Sequence, residues 1–244
     1  MKVSGNTILI TGGATGIGLA LAKAFVDLGN KVVICGRRRN KLLAARKMNP
    51  QLEIRVCDVS RSASRTALVQ WMKQRFPSAN ILVNNAGIQR PVDFLKGTRD
   101  LRHADQEIAT NFAAPIYLTA LMLPLLKKQS RAAIVNISSG LAFTPLAAVP
   151  VYCATKAAIH SLSLSLRHQL RNTTISVFEI APPMVATELA GRRQRPEEGE
   201  YVMTSDAVAR EIVKAIEAET HEVPLGAAVN LYEKRDQMFS VINE

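Results

Sequence analysis

The sequence predicts an α/β fold, a single domain built on one doubly wound parallel sheet with helices on both faces, and three observations carry the prediction. Short β-branched runs alternate with longer amphipathic stretches along the chain. A glycine loop, Thr11 to Gly18, joins the first such run to the first such stretch. The 244 residues suffice for one large core but not comfortably for two, and no repeat or linker divides them.

Thr7 to Ile10 reads as the first strand, and the following helix ends at Gly29. Gly12, Gly16 and Gly18, with Thr15 and Ile17 between them, would let backbone N–H groups approach a pyrophosphate at the helix N-terminus, where the dipole favours an anion. Such a loop makes the sheet Rossmann-type. Lys31 to Cys35 is the second strand. An acid for a ribose 2′-hydroxyl belongs about 20 residues past the glycines. Here Gly36 stands 18 residues after Gly18, followed by Arg37, Arg38 and Arg39. Cations in place of an acid suit a 2′-phosphate, so NADP(H) is expected over NAD(H), with Arg37 and Arg38 as its ligands and Arg39 as a solvated helix start.

Glu53 to Cys57 is the third strand, Ser60 to Phe76 a helix with Trp71 on its apolar side, and Ile81 to Val83 the fourth strand. A polar helix is expected from Gly97-Thr98 to about Thr110. Asn111 then interrupts a helical stretch that resumes with apolar residues to Leu126. Strand Ala132 to Ile137, helix Val151 to Leu170 and strand Ile175 to Ala181 continue the alternation, with right-handed crossovers. The charged run Gly191 to Glu200 has no periodicity, and residues 188–204 read as a substrate lid beside the strand ends. Ser205 is expected to cap a helix to about Ala218, and a short strand near Val223 precedes a tail, residues 231–244, whose structure the sequence leaves open.

The formal charge of +11 is partly concentrated: seven cations and no acid lie between Asp27 and Glu53. That cluster coincides with the expected cofactor phosphate, and no recognition motif accompanies it, which argues against a nucleic-acid partner. Cys35, Cys57 and Cys153 are odd in number and fall in or beside apolar runs, so buried free thiols and a cytoplasmic location are expected. The most apolar long run, Ala113 to Leu126, is 14 residues, short of the roughly 20 that span a bilayer. His103, His160, His168 and His221 show no metal-ligand spacing, and no metal is expected.

Ser139, Tyr152 and Lys156, at separations of 13 and 4, would bring a strand end and a helix turn to one reacting carbonyl. Tyr152 and Lys156 share a helix face, and one cation at about 4 Å can supply the roughly 4 kcal/mol needed to lower a phenol toward pH 7. Taken alone, such a pair is more often a surface feature.

With TGGATGIG, Asp58-Val59, Asn84 to Gly87, Asn111, Ser139, Tyr152 and Lys156 in this order, the chain resembles the short-chain dehydrogenase/reductase family over nearly its whole length. The wording VVICGRR, NNAGIQR, VYCATKAAIHS and APPMVATEL is more narrowly similar to an oxidoreductase encoded with lipoteichoic-acid D-alanylation genes, a likeness that brings no substrate. The resemblance implies an NADP(H)-dependent oxidoreductase interconverting a small-molecule carbonyl and an alcohol. Tyr152 would be the acid or base, Ser139 would hold the carbonyl oxygen, and Lys156 would act on the phenol and the nicotinamide ribose. Asn111 would hold a proton-relaying water. Asp58 and Val59 would meet the adenine, and Asn85, Ala86 and Gly87 would line the cofactor. Pro182, the Val185 backbone and Thr187 would meet the nicotinamide, although Pro182-Pro183 departs from the family's Pro-Gly. A homodimer or homotetramer through the helices after Asn111 and Val151 is also implied. A binder that only senses NADP(H) is the alternative, and the filled tetrad of Asn111, Ser139, Tyr152 and Lys156 weighs against it.

Overall fold

The structure is a computed structural model that describes residues 1–189 and 202–244. Seven parallel strands form its main sheet: β1 (Thr7–Thr11), β2 (Lys31–Gly36), β3 (Glu53–Val56), β4 (Ile81–Asn84), β5 (Ala132–Ile137), β6 (Ile175–Ala181) and β9 (Glu222–Pro224). Their spatial order is β3-β2-β1-β4-β5-β6-β9, so the winding reverses between β1 and β4. A crevice opens outside the carboxyl ends of the strands at such a reversal, and ligands bind there.

Alternating side chains cover the two faces. Ile8, Ile10, Val32, Ile34, Val83, Val135 and Ile180 pack with α1 (Gly16–Asp27) and α7 (Ser205–Glu217). Leu9, Val33, Leu82, Ile134 and Val177 pack with α3 (Ser62–Arg75) and α5 (Ala114–Leu126). β-Branched residues dominate because both faces of a parallel sheet are buried. The long α6 (Pro150–Leu170) starts at a proline, whose absent N–H costs nothing in a first turn. Between β2 and β3 lies α2 (Arg39–Met48).

Several boundaries differ from the sequence reading. The helix expected from Gly97 begins only at Ala104, as α4 (Ala104–Ile108). Gly97 adopts φ 62°, ψ −150°, which breaks helical geometry within Phe94–Arg99 and leaves two short tight turns there. Thr204, not Ser205, caps α7: its hydroxyl accepts from the Ala207 N–H. A two-stranded ribbon, β7 (Met184–Val185) with β8 (Val202–Met203), is too short to show a period in sequence. Residues 190–201, the greater part of the expected lid, lie outside the described residues.

The tail folds back as α8 (Ala228–Lys234), a tight turn and α9 (Phe239–Asn243). Thr144 Oγ1 donates to the carbonyls of Leu231 and Arg235 at 3.1 and 2.9 Å, and the Ala147 N–H donates to Asn243 Oδ1. The tail thereby roofs the segment between Ser139 and α6. One helical stretch, Ala104–Leu126, is long and apolar enough by composition to cross a membrane, and 44% of its most apolar window is buried inside the protein. Leu118, Met122 and Leu126 belong to the core beneath β4 and β5, and Glu107 and Asn111 lie within the stretch.

Candidate active site

The glycine loop closes tightly over the end of β1. Gly12 has φ +66° and Gly16 φ +56°, left-handed values at which a side chain would strain the backbone. A Cβ on Gly18 would sit 2.6 Å from the Gly12 carbonyl oxygen, so only glycine permits this approach. Thr15 precedes α1 without capping it through its side chain, and no acid stands in the first turn. The first-turn N–H groups of α1 thus keep their capacity for an anion.

Asn85, Ala86 and Gly87 are stitched to this loop. Asn85 Nδ2 donates to the Thr11 carbonyl at 2.8 Å, and the N–H groups of Asn85 and Ala86 both reach Thr11 Oγ1 at 3.0 Å. Gly87 marks where loop and tetrad meet: a Cβ there would lie 3.6 Å from Asn111 Oδ1 and 3.9 Å from Lys156 Nζ. Asn111 stands in a single π turn, Ala109–Ala113, between α4 and α5. Its amide donates to the Ile88 carbonyl at 2.8 Å and to Thr155 Oγ1 at 3.2 Å, and its oxygen accepts from the Ile88 N–H at 2.9 Å. The side chain therefore pins the chain after β4 to α6. π turns of this kind recur at functional sites.

Ser138 and Ser139 divide as strand alternation requires. Ser138 Oγ donates to the Ile180 carbonyl, whereas Ser139 faces Tyr152 and accepts from the Leu141 N–H at 3.2 Å. Lys156 lies with Nζ 5.5 Å from the Tyr152 ring centroid and donates to the Ile137 carbonyl at 2.8 Å. The expected depression of the phenol pKa is not present. Burial pushes Tyr152 well above its ordinary value, and the Ser139 hydroxyl only partly opposes this. Burial also lowers Lys156 to about 8, with Glu179 acting in the other direction. Loss of hydration outweighs what each group regains from one polar neighbour.

Of the basic residues, Arg38 reaches the loop, donating to Thr15 Oγ1 at 3.2 Å, while Arg37 is exposed without a partner among the described residues. Arg38 and Lys41 also share the Glu188 carboxylate at 3.5 and 3.8 Å, a contact no sequence spacing announced. Asp58 caps the turn after β3 by accepting from the Ser60 N–H and hydroxyl, and Val59 is buried beside it. The Pro182 carbonyl accepts from the Gly140 N–H at 2.9 Å. Val185 lies buried in β7, and Thr187 Cγ2 lies 3.1 Å from the position of a Cβ on Gly16. Thr187 and the glycine loop thus face one another across the crevice. The sequence reading overlooked His160 and Glu179, hydrogen-bonded at 2.9 Å, although one acid in the otherwise uncharged β6 was a visible signal.

Comparison with known proteins agrees with this arrangement. Residues 6–198 match the family model described as short chain dehydrogenase. The Bacillus subtilis protein named "Uncharacterized oxidoreductase DltE" is 53% identical over 199 residues, covering 82% of this chain and 79% of that protein. The Shigella flexneri "NADP-dependent 3-hydroxy acid dehydrogenase YdfG" is 30% identical over 81% of this chain and 80% of its own. Two crystal structures of short-chain dehydrogenases share the fold. One from Burkholderia phymatum, in complex with NAD, gives a TM-score of 0.86 at 21% identity, covering 100% and 97% of the two chains. One from Burkholderia cenocepacia, in complex with NADP, gives 0.84 at 22%, covering 99% of each. A glycine loop over β1, a tetrad at the strand ends and a family match over most of the chain lead to one conclusion: the protein is a member of the short-chain dehydrogenase family.

Proposed function

We propose that the protein is an NADP(H)-dependent oxidoreductase that interconverts a small carbonyl compound and its alcohol by hydride transfer, with Tyr152 as the acid or base. The observation that carries this reading is the meeting of Ser139, Tyr152 and Lys156 beside Gly87 at the sheet's carboxyl edge.

The residues present fit a dinucleotide. Gly12 and Gly18 let the loop fold closely on itself and on Asn85 and Ala86, which keeps it tight at the start of α1, and that uncapped start offers N–H groups to a pyrophosphate. Bound nicotinamide would supply or accept the hydride. Tyr152, its pKa raised by burial, holds its proton at neutral pH, the form that reducing a carbonyl requires. Ser139 stands beside it to orient the carbonyl oxygen. Lys156, at about 8, is largely charged at pH 7 and stabilises negative charge developing on the phenol.

Arg38 and Lys41 already hold one carboxylate beside Thr15, which supports a 2′-phosphate there. The name of the Shigella relative points the same way, while the solved structures include both an NAD and an NADP complex. That name also makes 3-hydroxy acids a substrate class to compare with neutral alcohols. Arg90, exposed near the crevice, is consistent with an acidic substrate; Arg192 and Arg193 lie outside the described residues. Exposed Tyr117 on α5 and Leu164 on α6 support self-association as a dimer or tetramer.

Tyr152→Phe tests the reading. NADPH affinity by fluorescence titration is expected to stay within about threefold, while turnover of any accepted substrate falls by about 10²–10⁴. Retained turnover would reject Tyr152 as the proton donor.

A further inference from the structure

Beneath α6 a row of polar side chains crosses four strands at one level. Asn84, Asn136, Glu179 and Glu222 are register partners on β4, β5, β6 and β9. Asn84 Nδ2 donates to Asn136 Oδ1, and Asn136 Nδ2 donates to Ser163 Oγ on α6, both at 2.9 Å. Glu222 pairs with Arg167 at 3.6 Å. Glu179 is different: it is fully buried, its Oε2 lies 2.9 Å from His160 Nδ1, and its Oε1 has no hydrogen-bond partner among the described residues. A buried carboxylate half-satisfied in this way is destabilising unless a cation answers it.

Lys156 is the group that answers. It precedes His160 by one helical turn on the same face of α6, it is 5% exposed, and no carboxylate lies within salt-bridge distance of it among the described residues. Its Nζ bonds the carbonyl of Ile137, the residue after Asn136, which is the β5 partner of Glu179. Lys156 thus has no carboxylate in contact with it, and Glu179 keeps one oxygen beyond what His160 satisfies, so each can serve as the other's complement.

We propose that Glu179, held by His160, is a positioning residue for Lys156, its buried carboxylate being the counter-charge that keeps the ammonium charged and directed at the site. The carboxylate raises the Lys156 pKa against the lowering that burial imposes, in keeping with this role. The other groups facing the pair are Tyr152 and Arg167 from α6, Glu222 from β9, and Tyr232 from α8, whose ring packs on Phe143 beside His160. Donor atoms of His160, Glu179 and Glu222 also lie within 4.8 Å of one another, close enough for one cation to bridge. Arg167 already supplies the positive charge at Glu222, which favours the charge-pair reading.

This role rests on the proposed chemistry of Lys156, but its test does not need turnover. Protein labelled with 13Cε-lysine is titrated by NMR, the Lys156 resonance being the one absent from Lys156→Arg. Glu179→Gln, close to isosteric, is expected to lower the Lys156 midpoint by about half a pH unit or more, the scale of one buried charge acting at a distance. His160→Phe, which leaves the carboxylate unpartnered and favours its neutral form, is expected to move it the same way. Glu222→Gln, whose charge Arg167 offsets, is expected to move it less. Near-ultraviolet circular dichroism identifies any variant that fails to fold, and either of the first two suffices. An unmoved midpoint in a folded variant would overturn the proposal. So would stoichiometric Mn²⁺ broadening the His160 resonances, which would assign the cluster to a cation. If Tyr152→Phe retains turnover while the midpoint still moves, the proposed function fails and the charge pair stands.

Discussion

In the proposed function, Arg38 is the residue that would select NADP(H). Its guanidinium bonds Thr15 and pairs with Glu188, so it is held over the glycine loop with one anion already beside it. A charge-assisted contact to a phosphate contributes about 1.5–3 kcal/mol. Arg38→Ala is therefore expected to weaken NADPH by about tenfold or more and to leave NADH nearly unchanged, which fluorescence titration with both nucleotides would show. Equal losses for the two would move the phosphate site elsewhere. Tyr152 and Lys156 teach a different lesson at this scale. Their spacing suggested a phenol made acidic by its neighbour, but burial dominates both groups and drives each toward its neutral form. A spacing places charges near one another without stating how much water surrounds them.

Among the elements, the short α4 carries a buried carboxyl group. Glu107 is fully buried, its carboxylate making no close hydrogen bond among the described residues, and loss of hydration raises its pKa to about 7, weakly opposed by the nearby Arg90 backbone N–H and charge. A raised carboxyl means that the folded chain keeps a proton the unfolded chain releases. Its contribution to stability is fully present below the unfolded value of 4.5 and is lost as pH rises to about 7. Glu107→Gln is expected to stabilise the protein by on the order of 2 kcal/mol at pH 8 and to be close to neutral at pH 4.5, measured by urea unfolding. An equal effect at both pH values would refute the titration. Strands such as Ala132–Ile137 and Ile175–Ala181 were legible residue for residue, because buried parallel strands are predominantly apolar and Asn136, Ser176 and Glu179 interrupt these two only singly. The start of α4 was not, since the conformation of Gly97 depends on where the chain must turn.

For the whole molecule, the exposed apolar residues Tyr117 and Leu164 sit on α5 and α6, the helices that carry Asn111's π turn and Tyr152 into the site. If these faces join copies of the chain, Leu164→Glu is expected to reduce the assembly to monomers in light scattering without changing the fold seen by circular dichroism. An assembly unaffected by the substitution would place the interface on another face. The roof formed by α8 and α9 belongs to this scale as well. It holds the segment after Ser139 through Thr144 and Asn243, residues that only the finished fold brings together.

The sequence by itself determined the order of strands and helices, the glycine loop at the first crossover, and the alignment of Tyr152 with Lys156. These depend on periodicity, on allowed backbone angles and on neighbours within one helical turn. Only the tertiary structure decided that Glu188 meets Arg38 across 150 residues, that Glu179 meets His160 across 19, and that the phenol is raised and not lowered. Those outcomes depend on distances between elements and on the exclusion of water, which arise when the sheet and its helices close on one another.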